Sequence, residues 1–154
     1  MQKITPFLWF DKEASKAAKF YTSVFKGSKI NSVSTMEDTP SGTVEIVNIE
    51  LLGEEFTMMS AGPQFKFTEA VSFFVSVETQ REVDYYWDKL TDGGEAGQCG
   101  WLKDKYGLSW QIIPTVLGEM LGDKDATKAG RTMQAMLQMK KIDIQKLKEA
   151  YEQN

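Results

Sequence analysis

The chain has 154 residues, 42% of them hydrophobic and 26% charged, which suits one globular domain with a full core, or two small units sharing one sheet system, and argues against two independent domains. A net charge of −4, with no run of Lys or Arg longer than a pair, argues against a nucleic-acid surface, because phosphate binding needs clustered cations. The single cysteine, Cys99, excludes an internal disulfide and points to a reducing cytoplasm, and the absence of a leader-like stretch or of about 20 consecutive apolar residues argues against a membrane partner.

Residues 4–10 alternate as a strand, with Ile4, Pro6, Leu8 and Phe10 on a face fit to pack against helices and Thr5, Phe7 and Trp9 on the other. Asp11 is placed to cap a helix in which Ala14, Ala17, Ala18, Tyr21, Val24 and Phe25 recur at helical spacing, and Gly27 closes it. Three strands are predicted next, at residues 30–36, 43–52 and 55–60, with turns at 39–42 and 52–54. After the connector 61–63 the order repeats. A strand at 71–77 leads into Thr79-Gln80-Arg81-Glu82, a capping box that opens a helix with the stripe Val83, Tyr86, Trp87 and Leu90. Gly93-Gly94 ends that helix, and strands follow at 96–99, 101–103 and 108–113, the last two joined through Lys105-Tyr106-Gly107.

Beyond Pro114 the pattern turns helical. A short helix is predicted at 116–121. Asp125 caps another with Ala129, Met133, Met136 and Leu137 inward, and Asp143 caps a last one with Ile144, Leu147 and Tyr151 inward. That Met-rich stripe needs cover from the outer sheet face, from a pocket over which it forms a lid, or from a partner. The organisation is therefore a first strand-helix-three-strand module at 1–62, a second at 63–114 and a helical tail at 115–154, in one compact domain.

Three segments, 5–11 (TPFLWFD), 62–70 (GPQFKFTEA) and 99–112 (CGWLKDKYGLSWQI), together with the duplicated pattern, resemble the vicinal oxygen chelate superfamily of glyoxalases, bleomycin-resistance proteins and dioxygenases, and within it the PhnB-like subfamily. The resemblance implies an α+β fold of two βαβββ modules, each a curved four-stranded sheet, packed into a cup that holds the ligand. It also implies a homodimer. The positions that correspond to the superfamily's metal ligands are Thr5, Thr57, Ser72 and Gln111. Only Gln111 could bind a metal, and the chain contains no histidine, so no metal and no other cofactor is expected.

The residual candidates for an oxygen-only site are Glu45, Glu50, Glu55 and Glu69, and strand alternation puts Glu69 on the face opposite Ser72. Cys99 has no histidine to activate it and reads as a small, partly buried residue. A Ser-His-Asp triad is impossible, and no glycine-rich loop suits a phosphate, so methyl transfer from a nucleotide cofactor is not expected.

The first functional reading is a metal-free protein that binds a small, partly apolar molecule. Thr5, Thr57, Ser72 and Gln111 would orient the ligand and Phe7, Trp9, Phe74 and Trp101 would wall it, with residues 61–68 as a rim or lid. The second is a lyase, isomerase or dioxygenase using an oxygen-bound metal or Glu69 as general acid. In the third, Met133, Met136 and Met139 of the tail dock to another protein.

Overall fold

A computed structural model describes residues 2–153. They divide into two compact units, one ending at Lys66 and the other beginning at Phe67. In the first unit, β1 (Phe7–Phe10), α1 (Ala14–Val24), β2 (Lys29–Thr39), β3 (Gly42–Leu51) and β4 (Glu54–Ser60) follow one another in the predicted order. The sheet runs β1-β4-β3-β2, with β1 parallel to β4 and the other pairs antiparallel. Apolar side chains of one sheet face, among them Leu8, Phe10, Val47, Ile49 and Met58, are buried with the α1 stripe of Ala14, Ala17, Ala18, Tyr21 and Val24. A helix whose apolar positions recur every three to four residues must bury that stripe, and the sheet is where it does so.

Two expectations for this unit fail, for local reasons. Ile4 lies outside β1 and is 87% exposed, because pairing with β4 begins only at Phe7 opposite Thr57. Asp11 does not cap α1. The helix starts at Glu13 without a side-chain cap, and the Ala14 N–H donates instead to the Ser60 hydroxyl of β4, at 3.0 Å. The Ser15 hydroxyl likewise donates to Glu45 of β3 at 2.7 Å. The sheet therefore supplies the partners that a helix start leaves wanting.

The second unit repeats the plan with β5 (Ser72–Val77), α2 (Gln80–Thr91), β6 (Glu95–Ala96), β7 (Trp101–Lys103) and β8 (Ser109–Pro114), ordered β5-β8-β7-β6 with β5 parallel to β8. The fold class is α+β, built from two βαβββ modules. At the start of α2 the Thr79 hydroxyl accepts from the Glu82 N–H at 3.2 Å, and the Glu82 carboxylate reaches back to the Glu78 N–H at 3.4 Å, one residue before the cap.

The predicted strand at 96–99 shrinks to Glu95–Ala96. Gln98 accepts from the Trp101 N–H across a turn whose central residues, Cys99 and Gly100, both have positive φ (57° and 85°). Those are the angles of a type I′ hairpin turn, which leaves Cys99 no strand conformation to adopt.

The tail, α3 (Thr115–Leu121), α4 (Ala126–Met136) and α5 (Ile144–Glu152), belongs to this second unit. Leu117, Met120, Met139, Ile142 and Leu147 cluster with Ile113 of β8, and Ile142 and Leu147 are fully buried. Backbone bonds tie it down: the Cys99 and Gly100 N–H groups of the I′ turn donate to Met139 and Lys140 carbonyls, both at 2.8 Å. The Gln80 side chain clamps the α5 start, donating to the Ile142 carbonyl at 3.0 Å and accepting from the Ile144 N–H at 2.8 Å.

Asp125 and Asp143 cap α4 and α5 as expected. The inward face of α4 is rotated from the predicted one, however. Thr132 is the buried residue of that helix, whereas Met133 is 39% and Leu137 48% exposed. Burial of a threonine is tolerated because its hydroxyl donates to the Lys128 carbonyl at 3.0 Å.

Candidate functional site

Each sheet has a face turned away from its helix, and the register fixes what stands on it. In the first unit Phe7 lies opposite Thr57, and Thr57 opposite Asn48. A polar relay crosses this face: the Thr57 hydroxyl donates to Asn48 Oδ1 at 2.8 Å, and Asn48 Nδ2 donates to the Ser32 hydroxyl at 2.9 Å. Trp9 stands two residues beyond Phe7 on the same face, but its indole N–H is already given to the Gly62 carbonyl at 2.8 Å, and the Phe65 ring meets it edge-on at 5.0 Å. Residues 62–65 thus form a rim anchored on Trp9. Thr5 lies before the strand and is half-buried.

The second unit repeats the arrangement two residues at a time. Phe74 lies opposite Gln111 and Gln111 opposite Trp101, so Phe74 stands where Phe7 does and Gln111 where Thr57 does. Ser72 sits two residues before Phe74, as Thr5 does before Phe7, and accepts from Gln111 Nε2 at 3.0 Å. Ser72, Phe74, Gln111 and Trp101 are therefore neighbours on one surface. Asn48, which no motif marked, is the first unit's counterpart of Trp101, and only the strand register reveals it.

A cleft of about 380 Å³ opens on this second surface toward β6, walled by Trp101, Gln98 and Glu95 and reaching Lys103 and Ser109. Its volume falls in the range of small-molecule sites, roughly 300–1,000 Å³. Ser109 is 1% exposed, and its hydroxyl has no hydrogen-bond partner among the described residues. A buried hydroxyl left unsatisfied costs about 1–3 kcal/mol, which a water or a ligand group in the cleft would recover.

Glu69 also lines the cleft, ion-paired with Lys103. The strand argument that set Glu69 on the opposite face does not hold, because β5 begins only at Ser72 and Glu69 lies in the turn before it. The Lys103 ammonium holds the Glu69 carboxyl below the ordinary glutamate range, and Glu69 in turn raises the Lys103 amine. Glu69 is thus a carboxylate at neutral pH, the wrong form for a general acid.

Because the folded-state pKa of Glu69 is depressed, the pair persists above the ordinary glutamate range and is lost as pH falls through the lowered value. Acid titration followed by NMR is expected to show the Lys103 and Trp101 signals moving together with Glu69, and Glu69→Gln is expected to abolish that step. Signals of Lys103 that ignore the titration would rule out the Glu69–Lys103 pair.

Among the described residues no three of His, Cys, Asp and Glu come together as a metal site, and no helix is long and apolar enough to cross a membrane. A second cleft of about 360 Å³ in the first unit is lined in part by Glu45 and Ser60, whose polar atoms already hold the start of α1.

The family model described as 3-demethylubiquinone-9 3-methyltransferase matches residues 2–113, which takes in both modules and stops short of the tail helices. The chain belongs to this family. The PhnB protein of Bacillus cereus, whose solved structure carries the same description, is 35% identical over 74% of this chain and 100% of its own, with a TM-score of 0.66. Protein PA1353 of Pseudomonas aeruginosa is 17% identical over 74% of this chain and 98% of its own, at a TM-score of 0.59. The fosfomycin resistance protein FosX of Mesorhizobium loti is 11% identical over 80% of this chain and 100% of its own, also at 0.59. No curated protein matches the chain. It is a PhnB-like protein with the vicinal oxygen chelate fold, and the likeness to PA1353 and FosX is one of fold alone.

Proposed function

We propose that this PhnB-like chain is a metal-free binding protein for a small, partly apolar molecule, acting as a homodimer in a reducing cytoplasm. The observation that carries the reading is the cleft of the second unit, in which Trp101 offers a ring wall and Ser109 a buried hydroxyl without a partner among the described residues. Ligand-binding pockets combine an apolar wall with a few convergent polar groups; Ser109, Gln98 and the Glu69–Lys103 pair line the cleft, and Ser72 and Gln111 stand opposite Ser109 and Trp101 on the neighbouring strands. Thr5, Phe7, Trp9, Thr57 and Phe74 serve as further contacts on the two open faces. The family description names a methyltransferase; in this chain Gly27 and Gly93 follow helices, Gly42, Gly53, Gly100 and Gly107 lie in hairpin turns, and the sequence carries no glycine-rich phosphate motif. Turnover by a lyase, isomerase or dioxygenase route would need another acid than Glu69, which is held ionised by Lys103.

Native mass spectrometry of gently purified protein tests the reading, with a retained organic mass as the expected result. Gln111→Ala and Ser109→Ala are each expected to weaken retention of that molecule by about threefold to tenfold, the worth of one hydrogen bond. A retained metal ion, or a ligand whose affinity ignores both substitutions, would overturn it.

A further inference from the structure

We propose that the outer edge of β2 is the dimer contact, pairing antiparallel with β2 of a second copy of the chain. This rests on the homodimer proposed above and gives it an interface. β2 is the outermost strand of its sheet, with β3 on one side only. It is 11 residues long, and every residue from Lys29 to Asp38 is exposed. A strand at a sheet edge offers a row of backbone N–H and C=O groups to any strand laid beside it. Exposed with them are Ile30 (36%), Val33 (55%) and Met36 (54%), an apolar content that a strand kept permanently in water has no reason to carry.

Proteins that keep such edges single place lysines, prolines or bulges along them. Here the register shifts fall at the two ends, between Ile30 and Ser32 and between Met36 and Thr39. The regular stretch between them, Ser32-Val33-Ser34-Thr35-Met36, carries no charge and no proline. The centre of the edge is therefore unprotected.

The charges choose the occupant. Lys29 stands at the start of β2 and Glu37-Asp38 at its end. Antiparallel pairing of two copies about a two-fold axis near Val33-Ser34 lays the cationic start of each strand beside the acidic end of the other. Parallel pairing would set like beside like. A strand with opposite charges at its ends and an uncharged middle is complementary to itself, and isologous contacts of this kind are the commonest way for a chain to pair.

Sedimentation equilibrium of the full chain tests the proposal. Wild type is expected to be a dimer, and Val33→Lys, which sets two cations together at the axis, is expected to weaken it about tenfold or more. Lys29→Glu alone and Glu37→Lys with Asp38→Lys are each expected to weaken the dimer by about tenfold, and the three together to restore it. These positions are exposed, so circular dichroism is expected to stay unchanged. A dimer that all the variants leave intact overturns the β2 interface and leaves the homodimer standing. A monomeric wild type overturns both, and recovery of β2 paired with a different protein in place of a second copy overturns the β2 interface.

Discussion

Asp104→Ala is expected to lower the unfolding free energy by about 3–5 kcal/mol, the scale for stripping a buried carboxylate from its partners. Asp104 is 2% exposed, and its carboxylate accepts three hydrogen bonds: from the Tyr106 N–H at 2.8 Å, the Leu108 N–H at 3.1 Å and the Trp110 indole at 2.9 Å. Its own N–H donates to the Leu108 carbonyl at 2.9 Å, so both ends of the residue hold the β7–β8 connection. Alanine would take this acceptor from all three donors, two of which belong to buried residues, Leu108 and Trp110. Asp104→Asn retains an acceptor oxygen and is expected to cost clearly less. Equilibrium denaturation in urea measures both, and a loss under about 1 kcal/mol for the alanine variant would sink the idea that this carboxylate organises the hairpin.

The second large effect lies in the tail. Ile142→Ala and Leu147→Ala each empty a fully buried site in the cluster around Ile113, and each is expected to cost about 2–5 kcal/mol. Met133→Ala, at a position 39% exposed, is expected to stay within about 0.5 kcal/mol. Deleting residues 125–154 is accordingly expected to unfold the second unit, where a dispensable docking arm would leave its thermal transition in place. Calorimetry of the deletion distinguishes the two outcomes.

What could be read from the sequence follows the range of the interactions. The Thr79–Glu82 box and the Asp125 and Asp143 caps involve residues three or fewer apart, so the string alone displays them. The start of α1 is not legible in the string because its partner, Ser60, is 46 residues away, while the nearby Asp11 has the chemistry of a cap. The face of α4 is not legible either, because methionines are more apolar than Thr132, whose hydroxyl satisfies itself within the helix. In the segment 99–112, which carries the resemblance, nothing in the string marks out Asp104, and only the folded hairpin shows its role. For the site, the alternation of β5 and β8 was enough to set Ser72, Phe74 and Gln111 on one face. The same alternation sets Ser109 on that face, whereas the part of Lys103 is not legible, because the emptiness beside it depends on how β6 and the turn before β5 stand around the cleft.

The bonds from Cys99 and Gly100 to Met139 and Lys140, and from Gln80 to Ile142 and Ile144, bear on the order of events during synthesis. The first sheet has all its strands once Ser60 has emerged from the ribosome. The second has its last strand at Pro114, yet Ile113 at that strand's end and Gln80 at the head of α2 wait for residues translated about thirty positions later. Domains tend to fold as units while the chain is made. The two halves of this duplicated plan are thus expected to mature one after the other, and the interval in which β8 stands without its cover is when the nascent chain is most in need of a chaperone.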